Sequence, residues 1–246
     1  MDDAAIPAAT LILVRDRTGA APELLMVERA RGMAFAAGAM VFPGGRIDED
    51  DHAFAATIGS SAEAVAAVRE TIEETAIPAA LDPVPDAMTA RGLQQSLLSA
   101  TPFAELIEQA GLRIDHGALV PFARWVPKFH AVRRFDTLFF VARAPAGDWQ
   151  PQVVAGECAG ASWISAGEVL RRDAAGAASL IFPTRRTLER LALHRDFDAI
   201  AADARAHPIA PISPWVEERE GERFITISAG LGFPVTQEKL DGLWRG

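Results

Sequence analysis

The 246-residue chain is half hydrophobic, carries a formal net charge of −9 and contains one cysteine, Cys158. That acidic balance argues against a general nucleic-acid binder, because there is no basic excess to displace counterions from a phosphate backbone. The lone cysteine excludes an intrachain disulfide and suits a reducing, cytoplasmic compartment. The apolar run 8–14 near the N-terminus is too short to span a bilayer, so no membrane association is expected.

In chain order, residues 8–14 and 24–28 read as buried strands separated by a turn at Thr18-Gly19. Residues 40–42 form a third short strand, stopped by Pro43-Gly44-Gly45. Residues 48–60 open with four acidic residues and read as irregular. A helix is predicted over 61–77, with Ser60 as its cap, Glu63 reaching back to it and Pro78 ending it. Residues 81–85 form a proline-bearing connector, followed by two short helices over 87–100 and 102–111. Strands are expected at 120–126, 137–143 and 163–164, a helix at 166–172 and one long amphipathic helix at 184–206. Glu220-Gly221 lies between strand-like arms over 217–227, a hairpin signal. Strands and helices alternate and then mix, which favours an α/β fold with a mixed sheet between helical layers. The expected organisation is a single domain, with a core over about 8–206 and a helical and hairpin extension over about 207–246.

The chemistry concentrates in Arg69-Glu70-Thr71-Ile72-Glu73-Glu74. On a helix, positions 70, 73 and 74 stand at i, i+3 and i+4 and share one face. Three carboxylates there repel one another unless a positive charge neutralises them. A hard divalent cation such as magnesium accepts an all-oxygen ligand set and can bridge phosphate oxygens. Arg69 neighbours Glu73 at i+4 and can orient it by a charge-assisted hydrogen bond. Taken alone, the same pattern also describes a solvated acidic helix face in an unrelated fold.

The preceding Phe42-Pro43-Gly44-Gly45 turns a strand sharply, and glycine there permits close backbone approach to a ligand. Together, the strand, Gly-Gly turn, acidic loop and carboxylate helix resemble the Nudix box, Gly-x5-Glu-x7-Arg-Glu-U-x-Glu-Glu-x-Gly-U with U apolar. Gly45 begins the box and residues 69–77 end it, with Ala76 where the pattern has glycine and Thr71 at the first U. Counted forward from Gly45 the first Glu falls on Asp51; counted back from Arg69 it falls on Ser61. Seventeen residues separate Asp51 from Arg69 where the pattern has seven, an insertion of ten. With Arg133-Arg134-Phe135-Asp136, this extended box resembles the branch containing peroxisomal-type coenzyme A diphosphatases.

The resemblance implies a Nudix α/β/α sandwich and a Mg²⁺- or Mn²⁺-dependent hydrolase of a nucleoside diphosphate linked to another moiety. Glu70, Glu73 and Glu74 would hold metal, with a backbone carbonyl of Gly44 or Gly45 completing the shell. Glu157, on a loop before Trp163, is a further metal ligand or, alternatively to Glu70, the general base. Arg133 and Arg134 are candidates for the non-hydrolysed phosphates, or Arg134 pairs structurally with Asp136. The favoured substrate is coenzyme A or an acyl-CoA; ADP-ribose, other nucleotide sugars and dinucleotides are the alternatives, as is a non-catalytic nucleotide-binding module. Nudix proteins are often dimers, so a homodimer is the default assembly.

Overall fold

The computed structural model describes residues 5–30, 32, 36–127, 134–153 and 158–240. The chain opens with β1 (Ile6–Arg15) and β2 (Glu23–Arg29), then two short strands, β3 (Met40–Val41) and β4 (Gly44–Arg46). Helices α1 (Glu49–Ile58) and α2 (Ala62–Thr75) follow, then β5 (Leu81–Asp82), α3 (Ala87–Leu98), α4 (Phe103–Gln109) and β6 (Arg113–Ile114). Next come β7 (Val120–Trp125), β8 (Phe135–Arg143) and β9 (Cys158–Ser165). Helices α5 (Ala166–Ala174), α6 (Phe182–Leu191) and α7 (Phe197–Ala206) lead to β10 (Pro211–Ile212) and the strands β11 (Trp215–Arg219), β12 (Glu222–Thr226) and β13 (Gln237–Lys239).

The main sheet runs β10-β7-β8-β1-β2-β3, with β4 paired to β1 and β9 to β2. It is mixed: β1 lies parallel to β8, with Ile6 opposite Phe135 and Val14 opposite Arg143, and antiparallel to β2 and β4. Burial on both faces explains the unbroken apolar run of β1. Ile12 and Val14 enter one core with Leu24, Met26, Phe139 and Val141; Ala9, Leu11 and Leu13 enter the other with Leu25, Phe140 and Ala142. This is the period-two alternation of a strand. The first core is closed by α5, α6 and α7 and by Ile225, Ile227 and Phe233; the second by α2, α3 and α4. The result is a helix–sheet–helix sandwich, with a separate three-stranded sheet β11-β12-β13 near the C-terminus.

Three expectations are corrected. Residues 48–60 are not irregular: they hold α1. The Asp48 N–H donates to Asp51 Oδ2 at 2.9 Å, and Glu49, Asp50 and Asp51 occupy the first turn, where the helix dipole favours negative charge. The cap of α2 is Ser61, whose Oγ accepts from the Ala64 N–H at 3.2 Å, whereas the Ser60 hydroxyl meets His116 Nδ1 at 2.9 Å. The predicted helix 184–206 is two helices, because Asp196 leaves helical geometry (φ −159°) and its carboxylate caps α7 through the Ala199 N–H at 2.8 Å. Among the described residues no helix is long and apolar enough to cross a membrane.

Candidate active site

Strand β4 and helix α2 build the site. Pairing of β4 with β1 sets Gly45 opposite Ala9 and Gly44 opposite Thr10. Gly44 has φ 153°, and a Cβ there would lie 2.4 Å from the Ala9 carbonyl oxygen, so only glycine fits. A Cβ on Gly45 would lie 2.5 Å from the Glu70 carboxylate, which therefore sits directly against the strand backbone. The Gly44 N–H donates to Glu74 Oε2 at 3.2 Å.

Arg69 organises the acids. Its Nε and Nη2 donate to the two oxygens of buried Asp51, each at 2.9 Å. Nη2 also donates to the Arg46 carbonyl at 3.0 Å, and Nη1 to Glu70 at 3.0 Å and Glu73 at 3.3 Å. Burial works against the charge on this guanidinium, but the Asp51 hydrogen bonds and the surrounding carboxylates hold it above the ordinary arginine range. Asp51 thus stands in the Gly-x5-Glu position, and Ser61 serves the helix cap instead. The remaining departures also have local causes. Thr71 satisfies its buried hydroxyl on the Ala67 carbonyl at 2.7 Å. Ala76 adopts φ 56° at the helix C-cap, the left-handed conformation for which the pattern's glycine is suited.

Burial pushes the Glu70 carboxyl up to about 7; Arg69 opposes the shift, while Glu73 and Asp51 reinforce it. A cleft of about 660 Å³ opens over this group. Its described lining includes six carboxylates, Asp48, Asp50, Asp51, Glu70, Glu73 and Glu74, against three guanidiniums, Arg29, Arg46 and Arg69, a formal excess of three negative charges when all are ionised. An all-oxygen, net-negative donor set fits a hard divalent cation. Among the described residues, no three His, Cys, Asp or Glu side chains are already drawn into a ligand group, since Glu70 and Glu73 turn toward Arg69. Arg69 engages one oxygen of each acid, Glu70 Oε1 and Glu73 Oε2, so both can be oriented by it and still present a second oxygen as a ligand.

Of the residues singled out in the sequence, Gly44, Gly45, Arg69, Glu70, Glu73 and Glu74 line this one cleft. Arg134 precedes β8, and its carbonyl accepts from the Ile6 N–H at 2.7 Å; its neighbour Phe135 reaches the cleft. Asp136 is held by Arg124 through bonds of 2.7 and 2.6 Å. Arg133 and Glu157 lie outside the described residues. Sequence reading missed Arg29 and the α3–α4 turn, both in the cleft lining. Arg29 ends β2, far from the box in sequence, and no local spacing signals it. The turn carries no charged residue to attract notice.

No family model and no curated protein matches the chain. Among solved structures, a Nudix hydrolase from Alicyclobacillus acidocaldarius is 28% identical, covering 82% of this chain and 97% of that chain with a TM-score of 0.69. The MutT protein of Methanosarcina mazei Go1 is 19% identical, covering 78% and 95% with a TM-score of 0.44. A MutT Nudix hydrolase of Burkholderia pseudomallei is 16% identical, covering 76% and 98% with a TM-score of 0.45. The first of these, with the mixed sheet and the carboxylate helix beside a Gly-Gly strand, gives this chain the Nudix hydrolase fold.

Proposed function

We propose that the chain hydrolyses a nucleoside diphosphate linked to a second moiety, with coenzyme A or an acyl-CoA as favoured substrate. The observation that carries the reading is the net-negative cleft in which Glu70 abuts Gly45 and shares Arg69 with Glu73. Glu70, Glu73 and Glu74 would hold Mg²⁺ or Mn²⁺, with Glu157 as a further ligand by its place before Trp163. When bound, the metal supplies charge neutralisation for the diphosphate and the bond-breaking transition state. Arg69 keeps the helix carboxylates aligned, and Asp51 keeps Arg69 in place. Arg29 and Arg46 offer cationic contacts to phosphate oxygens, with Arg133 and Arg134 as candidates from the adjoining segment.

In the reaction, a water oxygen bonds to one phosphorus and the bond from that phosphorus to the bridging oxygen breaks. The bridging oxygen departs with the other phosphate. Glu70, with its pKa near neutrality, is suited to take the water proton, and Glu157 is the second candidate for that role. The chain is proposed to act as one domain, because Ile225, Ile227 and Phe233 of the C-terminal segment pack into the same core as Ile12 and Val14 of β1. The test is product analysis with coenzyme A, ADP-ribose, NADH and diadenosine polyphosphates under Mg²⁺ and Mn²⁺. Cleavage of coenzyme A to a phosphopantetheine and an adenosine bisphosphate is the expected result; preferential cleavage of another member reassigns the substrate, and cleavage of none removes the hydrolase reading.

A further inference from the structure

The cleft lining is of two kinds. Part of it is the carboxylates and guanidiniums. Beside these, the α3–α4 segment contributes Leu97, Ala100, Thr101, Pro102 and Phe103, among which Thr101 has the single polar side chain, and Thr10 and Phe135 line the cleft from β1 and β8. Ala100 and Pro102 are exposed, Thr101 and Phe135 are half-buried, and Leu97 and Phe103 lie buried behind them. The turn joining α3 to α4 is held tightly: Ala100, at φ 60°, donates its N–H to the Leu97 carbonyl at 2.8 Å, and Thr101 donates to the Ser96 carbonyl at 3.0 Å. Behind it, Phe103 meets Phe54 edge to face, with ring centroids 6.0 Å apart and planes at 89°. Phe54 belongs to α1, in the segment that lengthens the box.

We propose that this apolar wall is the specificity surface for the part of the substrate beyond the diphosphate. It selects an uncharged, largely aliphatic chain over a sugar or a second nucleotide. Phe54 is a positioning residue that holds the wall through Phe103. The inference rests on the hydrolase reading of the same cleft and names the substrate class within it. A sugar leaving water brings several hydroxyl groups, each needing a hydrogen-bond partner, and the wall offers one hydroxyl. An aliphatic chain has no such requirement and gains from leaving water. The insertion in the box thereby acquires a role: its helix braces the surface facing the organic half of the substrate, while its first turn supplies Asp51 to Arg69.

Two probes with the same nucleotide separate these choices: ADP esterified at its terminal phosphate with hexanol, and ADP-ribose. Each is also prepared with a methylene group in place of the bridging oxygen, so that binding can be measured without turnover. Calorimetry in Mg²⁺ is expected to show the hexyl analogue binding about tenfold more tightly, the discrimination an apolar pocket ordinarily delivers. Pro102→Glu, at an exposed position, is expected to erase that ratio. Phe54→Ala is expected to raise KM for the hydrolysable hexyl ester severalfold with kcat within about twofold, and Phe54→Leu to restore it, a split that general loosening of the fold would not give. Equal affinities, failure of both analogues to bind, or a ratio unmoved by Pro102→Glu overturns the wall. Turnover of neither oxygen-bridged probe, with the binding ratio intact, instead counts against the hydrolase reading alone.

Discussion

Asp51 and Arg69, eighteen positions apart, meet through two parallel hydrogen bonds of 2.9 Å, with the carboxylate only 1% exposed. This fork fixes the guanidinium beneath the helix carboxylates and tells Asp51 and Ser61 apart as occupants of the first acidic position of the box.

Removing the aspartate leaves a buried cation without its main partner. Asp51→Ala is expected to cost about 3–5 kcal/mol of stability, as for other broken buried pairs. Asp51→Glu, which restores the residue type of the family pattern, is expected to recover most of it. Urea unfolding measures both; an Asp51→Ala loss below about 1 kcal/mol would show that the fork is not structural.

Glu73→Gln and Glu74→Gln keep the shape of each side chain and remove its charge, and the amide oxygen introduced by Glu74→Gln can still accept from the Gly44 N–H. Turnover at saturating Mg²⁺ is expected to fall about 10²-fold or more, with melting temperatures close to wild type. Near-normal turnover in both variants removes these residues from the metal site.

The two glycines should fail differently. Gly44→Ala forces a methyl group to within 2.4 Å of backbone in a φ 153° conformation, so folding itself should suffer. Gly45→Ala instead presses on the Glu70 carboxylate at 2.5 Å. Its expected signature is an activity loss of at least about tenfold with a stability change of about 1–3 kcal/mol. Thermal melts and assays on the pair check this; the reverse ranking refutes it.

Glu70 gives the metal-free protein a defined pH dependence. Its carboxyl titrates at about 7 rather than the ordinary 4.5, so the folded state binds this proton more tightly than the unfolded state. Its contribution to stability is therefore fully present below about pH 4.5 and is lost as pH rises through about 7. In EDTA, the melting temperature should fall between pH 5.5 and 8, and Glu70→Gln should flatten that decline. Mg²⁺ or Mn²⁺ should stabilise the wild type more at pH 8 than at pH 6. A Glu70→Gln slope equal to that of wild type contradicts the assignment.

Ala76→Gly should be close to neutral, because relief of the left-handed backbone strain offsets the lost methyl group and the added chain entropy. Ala76→Val, β-branched in the same conformation, should destabilise by about 2 kcal/mol or more. Equal unfolding midpoints for the two variants would rule out strain at this position.

The legible parts of the sequence were those with a strong local signature. The apolar run of β1 marked a strand covered on both faces, and the spacing of Glu70, Glu73 and Glu74 placed them on one helical stripe. Helix α1 was hidden because its four opening acids resemble a polar loop; their value as a capped, dipole-compatible first turn emerges only with Asp48 extended and Arg69 waiting for Asp51. The break between α6 and α7 has neither glycine nor proline, and its one clue, the capping Asp196, sits inside an apparently continuous pattern. Arg29 and the wall around Pro102 reach the cleft through tertiary packing, which no spacing rule encodes.

The strict left–right sorting of side chains along β1 implies that tolerance to mutation should alternate down the strand. Damage at Leu11 is felt on the carboxylate side of the sheet, and damage at Ile12 beneath the C-terminal helices. Descendants of this chain could therefore remodel one flank of the molecule extensively while the chemistry on the other stays under separate selection, the two coupled through the backbones of the strands that feed both cores, β1, β2 and β8.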